Sequence, residues 1–205
     1  MVKKIVDIPG IGITTPKGKA LWCNNVTPER EYTKEGDLST FLILDPSDSA
    51  VQEFLAPLQK ICDEAFEQAQ KNLPAEKAKQ VTKRPITQED TDKDGNPTGK
   101  VKVKLKLGKI DEKKAEGKQY TITTYDAKKN EIKEPPTVGN GSTIRCSGFA
   151  FPYYMASSKE VGISIKWNAL QIIDLKSSSG GGADAFDEED GFEQALAATE
   201  EAIPF

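Results

Sequence analysis

The amino-acid sequence predicts a mainly β protein: an OB-type β-barrel with one substantial α-helix and a disordered acidic C-terminal tail. Several short segments alternate apolar and polar residues with the two-residue period of a strand. One longer segment around residue 60 has the helical period instead. The residues beyond 176 are acidic and include few that could form a core. Many short strands with a single helix favour a small barrel.

The first part of the chain is predicted to contain two strands and the helix. The strands span residues 18–26 and 38–44, and Asp45–Asp48 predicts a turn followed by a helix N-cap. Apolar residues then recur at helical spacing over residues 50–72. Pro57 lies inside this pattern, so we expect a kink or a break in the helix at that position.

The remaining strands are predicted after a polar segment. Residues 73–99 contain three prolines and few apolar residues, which indicates an insertion or a long loop. Lys100–Leu107 alternates four lysines with two valines and two leucines, a pattern typical of a strand with one charged and one apolar face. Further strands are expected at residues 118–125, 143–151, 161–167 and 169–175.

One short motif within the polar segment suggests calcium at first sight. Asp90–Gly95 matches the first half of an EF-hand loop, whose twelfth position should be a bidentate Glu. Here that position is Val101, Pro97 occupies the eighth, and a strand follows where the motif requires a helix. A turn between two strands is the better interpretation.

Composition excludes several classes of function. The 205 residues include no histidine, so Ser-His-Asp and Cys-His catalytic sites and His-ligated zinc sites are excluded. Cys23, Cys62 and Cys146 are far apart and form no CxxC pair, which predicts packed thiols in a reducing compartment. No apolar run is long enough to span a membrane, and the N-terminus has no secretion signal.

Charge is distributed unevenly along the chain, although the net charge is only -4. Residues 177–205 contain eight Asp or Glu and no Lys or Arg, which leaves 28 basic and 24 acidic residues in 1–176. Residues 77–133 are more basic still, with 16 Lys or Arg against nine Asp or Glu. A basic body with an acidic end indicates a polyanion-binding surface and a tail that could compete for it. Charge alone is equally compatible with a solubilising tail.

We therefore divide the chain into a domain at 1–176 and a tail at 177–205. Ser177–Gly182 reads Ser-Ser-Ser-Gly-Gly-Gly, which is typical of a flexible linker. The tail ends in the apolar residues Ile203, Pro204 and Phe205, which a purely solubilising tail does not need. These three residues are the candidates for binding a protein partner.

The lysine strand and a set of aromatic residues indicate nucleic-acid binding. Four lysines on one strand face suit a phosphate backbone, because each neutralised phosphate releases counterions; a charged, aggregation-resistant edge is the alternative. Several tyrosines, together with Trp22, lie in polar surroundings, where a ring could stack on a base of any type or pack in the ordinary way. The expected DNA-binding residues are Lys100, Lys102, Lys104, Lys106, Lys109, Tyr120, Tyr125, Arg145, Tyr153 and Tyr154.

Two parts of the sequence resemble known proteins. The ending Glu200–Phe205 resembles the acidic Ile-Pro-Phe tip of bacterial single-stranded DNA-binding proteins, although Ala202 stands where those tails usually keep an acid. Arg145–Phe149, Val161–Ile165 and Leu170–Ile172 are similar to the closing strands of phage single-stranded DNA-binding proteins. The layout of a barrel followed by an acidic tail with a terminal aromatic residue resembles the same phage family.

This resemblance implies a non-enzymatic protein that coats single-stranded DNA in phage replication and recombination, in the cytoplasm of the bacterial host. The tail would recruit replication or recombination proteins such as a DNA polymerase or a helicase-primase. Neither a cofactor nor a metal is expected, and the sequence leaves open whether the chain forms a homodimer. Two other functions also stay open: a metal-dependent nuclease without a recognisable motif, and an interaction or virion-structural protein with a solubilising tail.

Overall fold

The computed structural model describes residues 4–26, 38–107 and 122–176. The first part of the strand expected at 118–125 and the whole tail at 177–205 lie outside these residues. In chain order the elements are β1 (Ile11–Thr14), β2 (Gly18–Leu21), β3 (Leu38–Leu44), α1 (Ser49–Asn72), α2 (Ala75–Ala78), β4 (Thr82–Lys83), β5 (Gln88–Thr91), β6 (Pro97–Leu107), β7 (Thr123–Tyr125), β8 (Glu131–Ile132), β9 (Thr143–Met155) and β10 (Glu160–Asp174).

Five of the strands close into a barrel. β9 pairs with β2, β2 with β3, and β3 with β6, all in antiparallel orientation. β6 then lies parallel to β10, and β10 pairs with β9 over most of its length, which completes the circle. β1 adds to the middle of β9, and β7 and β8 extend the sheet beyond β10. The prediction of a mainly β, OB-type barrel with one substantial helix is confirmed.

Alternation along the strands decides which side chains fill the barrel. In β6 the side chains of Val103 and Leu105 are fully buried, and Lys104 and Lys106, which alternate with them, face outward. Trp167 of β10 is fully buried, and its indole N–H donates a 3.2 Å hydrogen bond to the carbonyl of Leu38. Each large apolar side chain buried in this way stabilises the fold by about 1.5–3 kcal/mol. Other fully buried residues of the barrel are Leu42, Leu44, Ile144 and Leu170.

The three cysteines are free thiols inside the protein, as predicted. Desolvation by burial raises the pKa of Cys23 to about 11. Burial also raises the pKa of Cys146 well above its ordinary value. Since the thiolate is the reactive form, these thiols act as small apolar groups of the core.

Helix α1 covers one side of the barrel. The carboxylate of Asp48 accepts a 2.9 Å hydrogen bond from the backbone N–H of Ala50, which confirms the predicted N-cap. The first half of the helix packs into the barrel core, and the second half packs against Val161 of β10 in a separate cluster. Its buried face consists of Val51, Phe54, Leu58, Ile61, Cys62, Ala65 and Ala69. Neither helix among the described residues is long and apolar enough to cross a membrane.

The helix is continuous over 24 residues with Pro57 inside it, so of the kink or break expected there the break is excluded. Proline removes the hydrogen bond that its N–H would donate to the carbonyl four residues earlier, at Glu53. Both residues lie on the exposed side of the helix. Water can therefore satisfy the freed carbonyl, and the missing bond does not end the helix.

Two strand predictions differ from the structure. The strand expected at 18–26 ends at Leu21, because Trp22 adopts the left-handed backbone conformation with φ of +50°. The strands expected at 161–167 and 169–175 form the single strand β10. The pairing of β10 with β9 shifts at Asn168 and then resumes, so both halves keep the same partner.

The polar segment 73–99 is more ordered than a loop, because it contains α2, β4, β5 and the start of β6. β5 and β6 form a hairpin. In the turn between them, the carboxylate of Asp92 accepts hydrogen bonds from the backbone of Asp94 and Asn96 and from the side chain of Asn96. The interpretation of this motif as a turn between strands is confirmed.

Gly148 of β9 provides a test of how closely the strands approach. A Cβ at Gly148 would lie 2.8 Å from the Cα of Trp167 and would overlap the carbonyl oxygen of Lys166. Because backbone atoms cannot rotate away, Gly148→Ala is expected to lower the free energy of unfolding by about 3 kcal/mol. Gly12→Ala in β1 is the matched control, since the nearest atom there is 4.0 Å away. We expect the control to change stability by less than about 0.5 kcal/mol in urea denaturation. Equal losses in the two variants would contradict this close approach.

Candidate nucleic-acid interface

The lysines of β6 form a row on the outside of the barrel. Lys104 and Lys106 are exposed, whereas Val103 and Leu105, which alternate with them, are fully buried. Successive side chains of a strand point to opposite faces, so burying the apolar set exposes the charged set. The predicted alternation of this strand is therefore confirmed.

Lys102 differs from its neighbours because it has an acidic partner. Its Nζ lies 3.7 Å from a carboxylate oxygen of Asp90, and the two side chains are only 16% and 9% exposed. Asp90 also accepts a 2.8 Å hydrogen bond from the hydroxyl of Thr98. The charge of Lys102 is largely compensated within the protein, which leaves Lys104 and Lys106 as the freer cations of the row.

An aromatic row lies on the same outer face, separated from the lysines by β10. Phe149, Phe151 and Tyr153 occupy alternate positions of β9 and so share one face. Phe149 and Phe151 are 49% and 38% exposed, and their ring centroids are 6.2 Å apart. Lys166 of β10 places its Nζ 5.5 Å from the centroid of Phe151, within the range of a cation–π contact. Cations and rings thus lie side by side across three strands.

Two glycines beside these rings, one in β10 and one just before β1, make room for them. A Cβ at Gly162 of β10 would lie 2.7 Å from the hydroxyl oxygen of Tyr153, and one at Gly10 would overlap the ring of Phe151. With any larger residue at either position, the ring above it would have to move. The two glycines therefore allow the rings to lie against the sheet.

A groove of about 520 Å³ runs between the two rows and is called here the lysine groove. Arg84 adds a fourth cation to the three lysines of β6 that line the groove, and Tyr153 adds a ring. None of its lining residues in the described part of the chain is acidic. The residues that give the groove its charge and shape are Arg84, Lys102, Lys104, Lys106, Tyr153 and Met155.

Two more aromatic residues flank the lysine row on its other side. Phe41 of β3 lies opposite Lys104, whose Nζ is 5.2 Å from the centroid of the phenyl ring. The ring of Trp22 meets Phe41 edge to face, with centroids 5.9 Å apart. Trp22 is 62% exposed, and its backbone N–H donates a 2.7 Å hydrogen bond to the side chain of Asn140. A large exposed ring thus packs against the ring that Lys104 contacts.

A second groove, of about 380 Å³, opens where β7, β9 and β10 meet, and is called here the Arg145 groove. Tyr125, Lys129 and Arg145 line it together with Gln171. The Nε of Arg145 donates a 3.2 Å hydrogen bond to the carbonyl of Thr15, which holds the side chain in place. This groove combines two cations with one aromatic ring.

The acids with shifted pKa values have partners in turns and on the helix surface. Hydrogen bonds from Asn96 lower the pKa of Asp92, and those from Asn130 lower the pKa of Asp126. A hydrogen bond from Lys83 lowers the pKa of Asp63. Across residues 4–26, 38–107 and 122–176, no group of three or more Cys, Asp or Glu is placed to hold a metal ion.

Comparison with known proteins adds independent information to this geometry. Residues 23–175, well over half of the chain, match the protein family described as "Single-stranded DNA-binding protein, Bacteriophage T7". The chain belongs to this family. The resemblance to phage single-stranded DNA-binding proteins that the sequence analysis proposed is therefore confirmed.

Individual relatives agree with the assignment of the chain to this family. The single-stranded DNA-binding protein of Enterobacteria phage T3 is 24% identical over 193 residues, which cover 91% of this chain and 83% of that protein. The crystal structure of gp2.5, a single-stranded DNA-binding protein encoded by bacteriophage T7, matches with a TM-score of 0.64 and 20% identity. That match covers 91% of this chain and 100% of the T7 chain. The two proteins therefore share a fold.

The structure places the expected DNA-binding residues in different parts of the surface. Lys102, Lys104, Lys106 and Tyr153 meet in the lysine groove. Tyr125 and Arg145 meet in the Arg145 groove. Lys100 is exposed on β6 but lines neither groove. Six of the ten expected residues thus line one of the two grooves.

Tyr154 lies on the other face of β9. Because it follows Tyr153 directly in the strand, its side chain points the opposite way. It packs against the cluster formed by Ala65 and Ala69 of α1 and Val161 of β10, so the structure does not bring it together with the lysine row. Lys109 and Tyr120, with the tail residues Ile203, Pro204 and Phe205, lie outside the described residues.

Several residues on this face were not predicted from the sequence. They are Arg84, Lys129, Phe149, Phe151 and Lys166. The sequence contained a signal for Phe149, because its neighbours Gly148 and Ala150 are small. In the structure these two small residues form the buried face of β9 at this point. In such a strand the large rings have to face outward. Arg84 and Lys129 carry no local signal, since only the fold places them at the grooves.

Proposed function

We propose that this protein binds single-stranded DNA without sequence preference on the outer face formed by β3, β6, β10 and β9. The alignment of the lysine row of β6 with the aromatic row of β9 on one face carries this proposal. Lysines attract phosphates of any sequence through counterion release. Aromatic rings stack on any base, because every base has a π-face. A DNA strand bound along the lysine groove would contact both the lysines and the aromatic rings.

The contacts of the face support this mode of binding. Lys104 and Lys166 each lie close to an aromatic ring, so a phosphate and a base of the same nucleotide could be bound together. Base–aromatic stacking contributes about 1–3 kcal/mol per base. The rings and cations lie on paired strands, which hold them in position before DNA arrives.

In the cell, the protein is proposed to coat and protect single strands during phage DNA replication and recombination, as a non-enzymatic component of the bacterial host cytoplasm. Residues 1–176 would be the DNA-binding domain. Residues 177–205 would form the linker and the tail, through which replication and recombination proteins, such as a DNA polymerase or a helicase-primase, are recruited.

The tail is proposed to act by competition and by docking. Its eight acids are tethered to a basic domain, so they would occupy the cationic face at high effective concentration until DNA displaces them. The terminal Phe205 and its carboxylate would then be free to enter a pocket on a partner protein. Ile203 and Pro204 would extend that apolar contact.

Two alternatives predict different behaviour. A metal-dependent nuclease would degrade the oligonucleotide when magnesium is added, whereas a coating protein would leave it intact. An interaction or virion-structural protein would bind no oligonucleotide even at low salt. Titration of single-stranded and duplex oligonucleotides, with and without magnesium, therefore tests the proposal directly.

The lysine row is tested by removing the two exposed lysines that line the lysine groove. The double variant Lys104→Ala, Lys106→Ala is expected to weaken binding equally for all sequences. It should also flatten the dependence of log K on log salt concentration by roughly 0.7 for each phosphate that is no longer neutralised. The control removes two exposed lysines on the helices, Lys60 and Lys77. A fluorescence titration over a range of salt concentrations measures both variants, and equal slopes would exclude the row from the binding site.

The stacking contact of Trp22 has its own spectroscopic readout. The chain has two tryptophans, and Trp167 is fully buried while Trp22 is 62% exposed. Quenching of tryptophan emission by single-stranded DNA should therefore come from Trp22. Trp22→Phe should remove the quenching while keeping most of the affinity, and Trp22→Ala should cost about 1–3 kcal/mol of binding free energy. Quenching that persists in Trp22→Phe would show that this ring does not contact the bases.

The tail is tested by deletion and by removal of its last residue. Deleting residues 183–205 removes eight negative charges and no positive ones. Single-stranded DNA should then bind more tightly, most clearly at low salt, where screening is weakest. Removal of Phe205 alone should leave DNA affinity nearly unchanged and weaken the capture of replication or recombination proteins from host extract. Unchanged DNA affinity in the deletion variant would exclude competition, and unchanged capture without Phe205 would exclude docking.

A further inference from the structure

We propose that the Arg145 groove is a second nucleotide-binding site, which holds a distal part of the same DNA strand that occupies the lysine groove. This inference rests on the proposed function and extends it, because it gives the bound strand a path and a minimum length. Three independent observations carry it: the chemistry of the groove, its position on β9, and the backbone conformation of Lys129.

The chemistry of the groove suits a nucleotide. Lys129 and Arg145 supply two positive charges, and none of the lining residues among those described is acidic. The hydrogen bond of Arg145 to Thr15 uses one of the five N–H donors of the guanidinium, which leaves donors for a phosphate. Tyr125, together with Ala169 and Leu170, gives the apolar wall that a base requires.

The position of the groove connects it to the lysine groove. Arg145 and Tyr153 both occupy odd positions of β9, as do Phe149 and Phe151 between them, so all four side chains share the outer face. Tyr153 lies eight positions after Arg145 in β9, which is a distance of about 27 Å along the strand. A single strand of DNA that runs along the exposed rings would join one groove to the other. Binding sites of barrels of this type span about 4–16 nucleotides, and this path fits within that range.

The backbone of Lys129 is the third observation, and the chain itself provides the comparison. Two hairpin turns, Asp92–Asn96 and Asp126–Asn130, have the same construction. In each, the first Asp accepts hydrogen bonds from the backbone of the third and fifth residues and from the fifth side chain. In each, the fourth residue has a left-handed backbone.

The two turns differ at that fourth position. In the first turn it is Gly95, with φ of +85°, which glycine adopts without strain. In the second it is Lys129, with φ of +70°, a conformation that lysine seldom adopts. Residues held in such conformations are concentrated at binding sites. The side chain of Lys129 lines the groove, so the strained position is the one that adds a cation to it.

Asp126 is the one acid of this turn, and it does not line the groove, where it could neutralise the charge of Lys129. Its two carboxylate oxygens accept hydrogen bonds from the backbone of Lys128 and Asn130 and from the side chain of Asn130. The amide of Gln171 donates to the carbonyls of Asp126 and Ala127, which anchors the turn to β10. The groove thus has a fixed wall.

The decisive variant is Lys129→Gly, compared with Lys128→Ala. Each removes one positive charge from the same turn, but only Lys129 lines the groove. Lys129→Gly should melt at the same temperature as the wild type or higher, because glycine suits the left-handed position. It should nevertheless bind a 16-nucleotide oligothymidylate about fivefold more weakly, the reduction expected when one exposed ion pair is removed. Lys128→Ala should retain wild-type affinity.

Oligonucleotide length separates the second site from the first. With a 4-nucleotide oligothymidylate, which is too short to join the grooves, Lys129→Gly should bind like the wild type. The double variant Lys104→Ala, Lys106→Ala should be weaker with both lengths. Equal affinity of Lys129→Gly and Lys128→Ala for the long oligonucleotide would overturn the second site while the lysine groove stands. Absence of binding by the wild type would overturn the proposed function itself.

Discussion

The pairing of β9 with β10 is the constraint on which the rest of the structure depends. Gly148 allows the two backbones to approach closely, and the pairing continues on both sides of the irregularity at Asn168. In this register Trp167 enters the barrel and Phe149 and Phe151 face solvent. A slip of one residue would reverse both, because side chains alternate between faces. The core and the candidate interface are therefore two results of one register.

The same constraint gives the interface its rigidity. Most of its cations and rings, among them Lys104, Lys166 and Phe151, belong to paired strands, so little conformational freedom is lost there when a ligand binds. Glycines at positions 10 and 162 accommodate the rings, and the largely buried pair of Lys102 and Asp90 links β6 to β5. The charge of Lys102 thus serves mainly the fold. Lys104 and Lys106 are left to act on a ligand.

Backbone strain is concentrated near the candidate interface. Within the described residues, Trp22, Lys129 and Lys159 are the residues other than glycine that have positive φ. Trp22 packs its exposed ring against Phe41, which lies opposite Lys104, and Lys129 lines the Arg145 groove. Lys159 lies in the turn between β9 and β10, where a tight connection accounts for it. Two of the three strained positions therefore coincide with the surface that the charges and rings define.

The sequence by itself determined the barrel class, the helix with its Asp48 cap, the lysine strand and the Asp92 turn, because each depends on the period or chemistry of neighbouring residues. It also carried the family resemblance in its closing strands. Only the tertiary structure decided which tyrosine of the pair 153–154 faces outward, that Arg84 joins the lysines, and that Arg145 meets Lys129. These residues are distant in sequence, and strand pairing across the barrel brings them together. Local periodicity contains no information about that register.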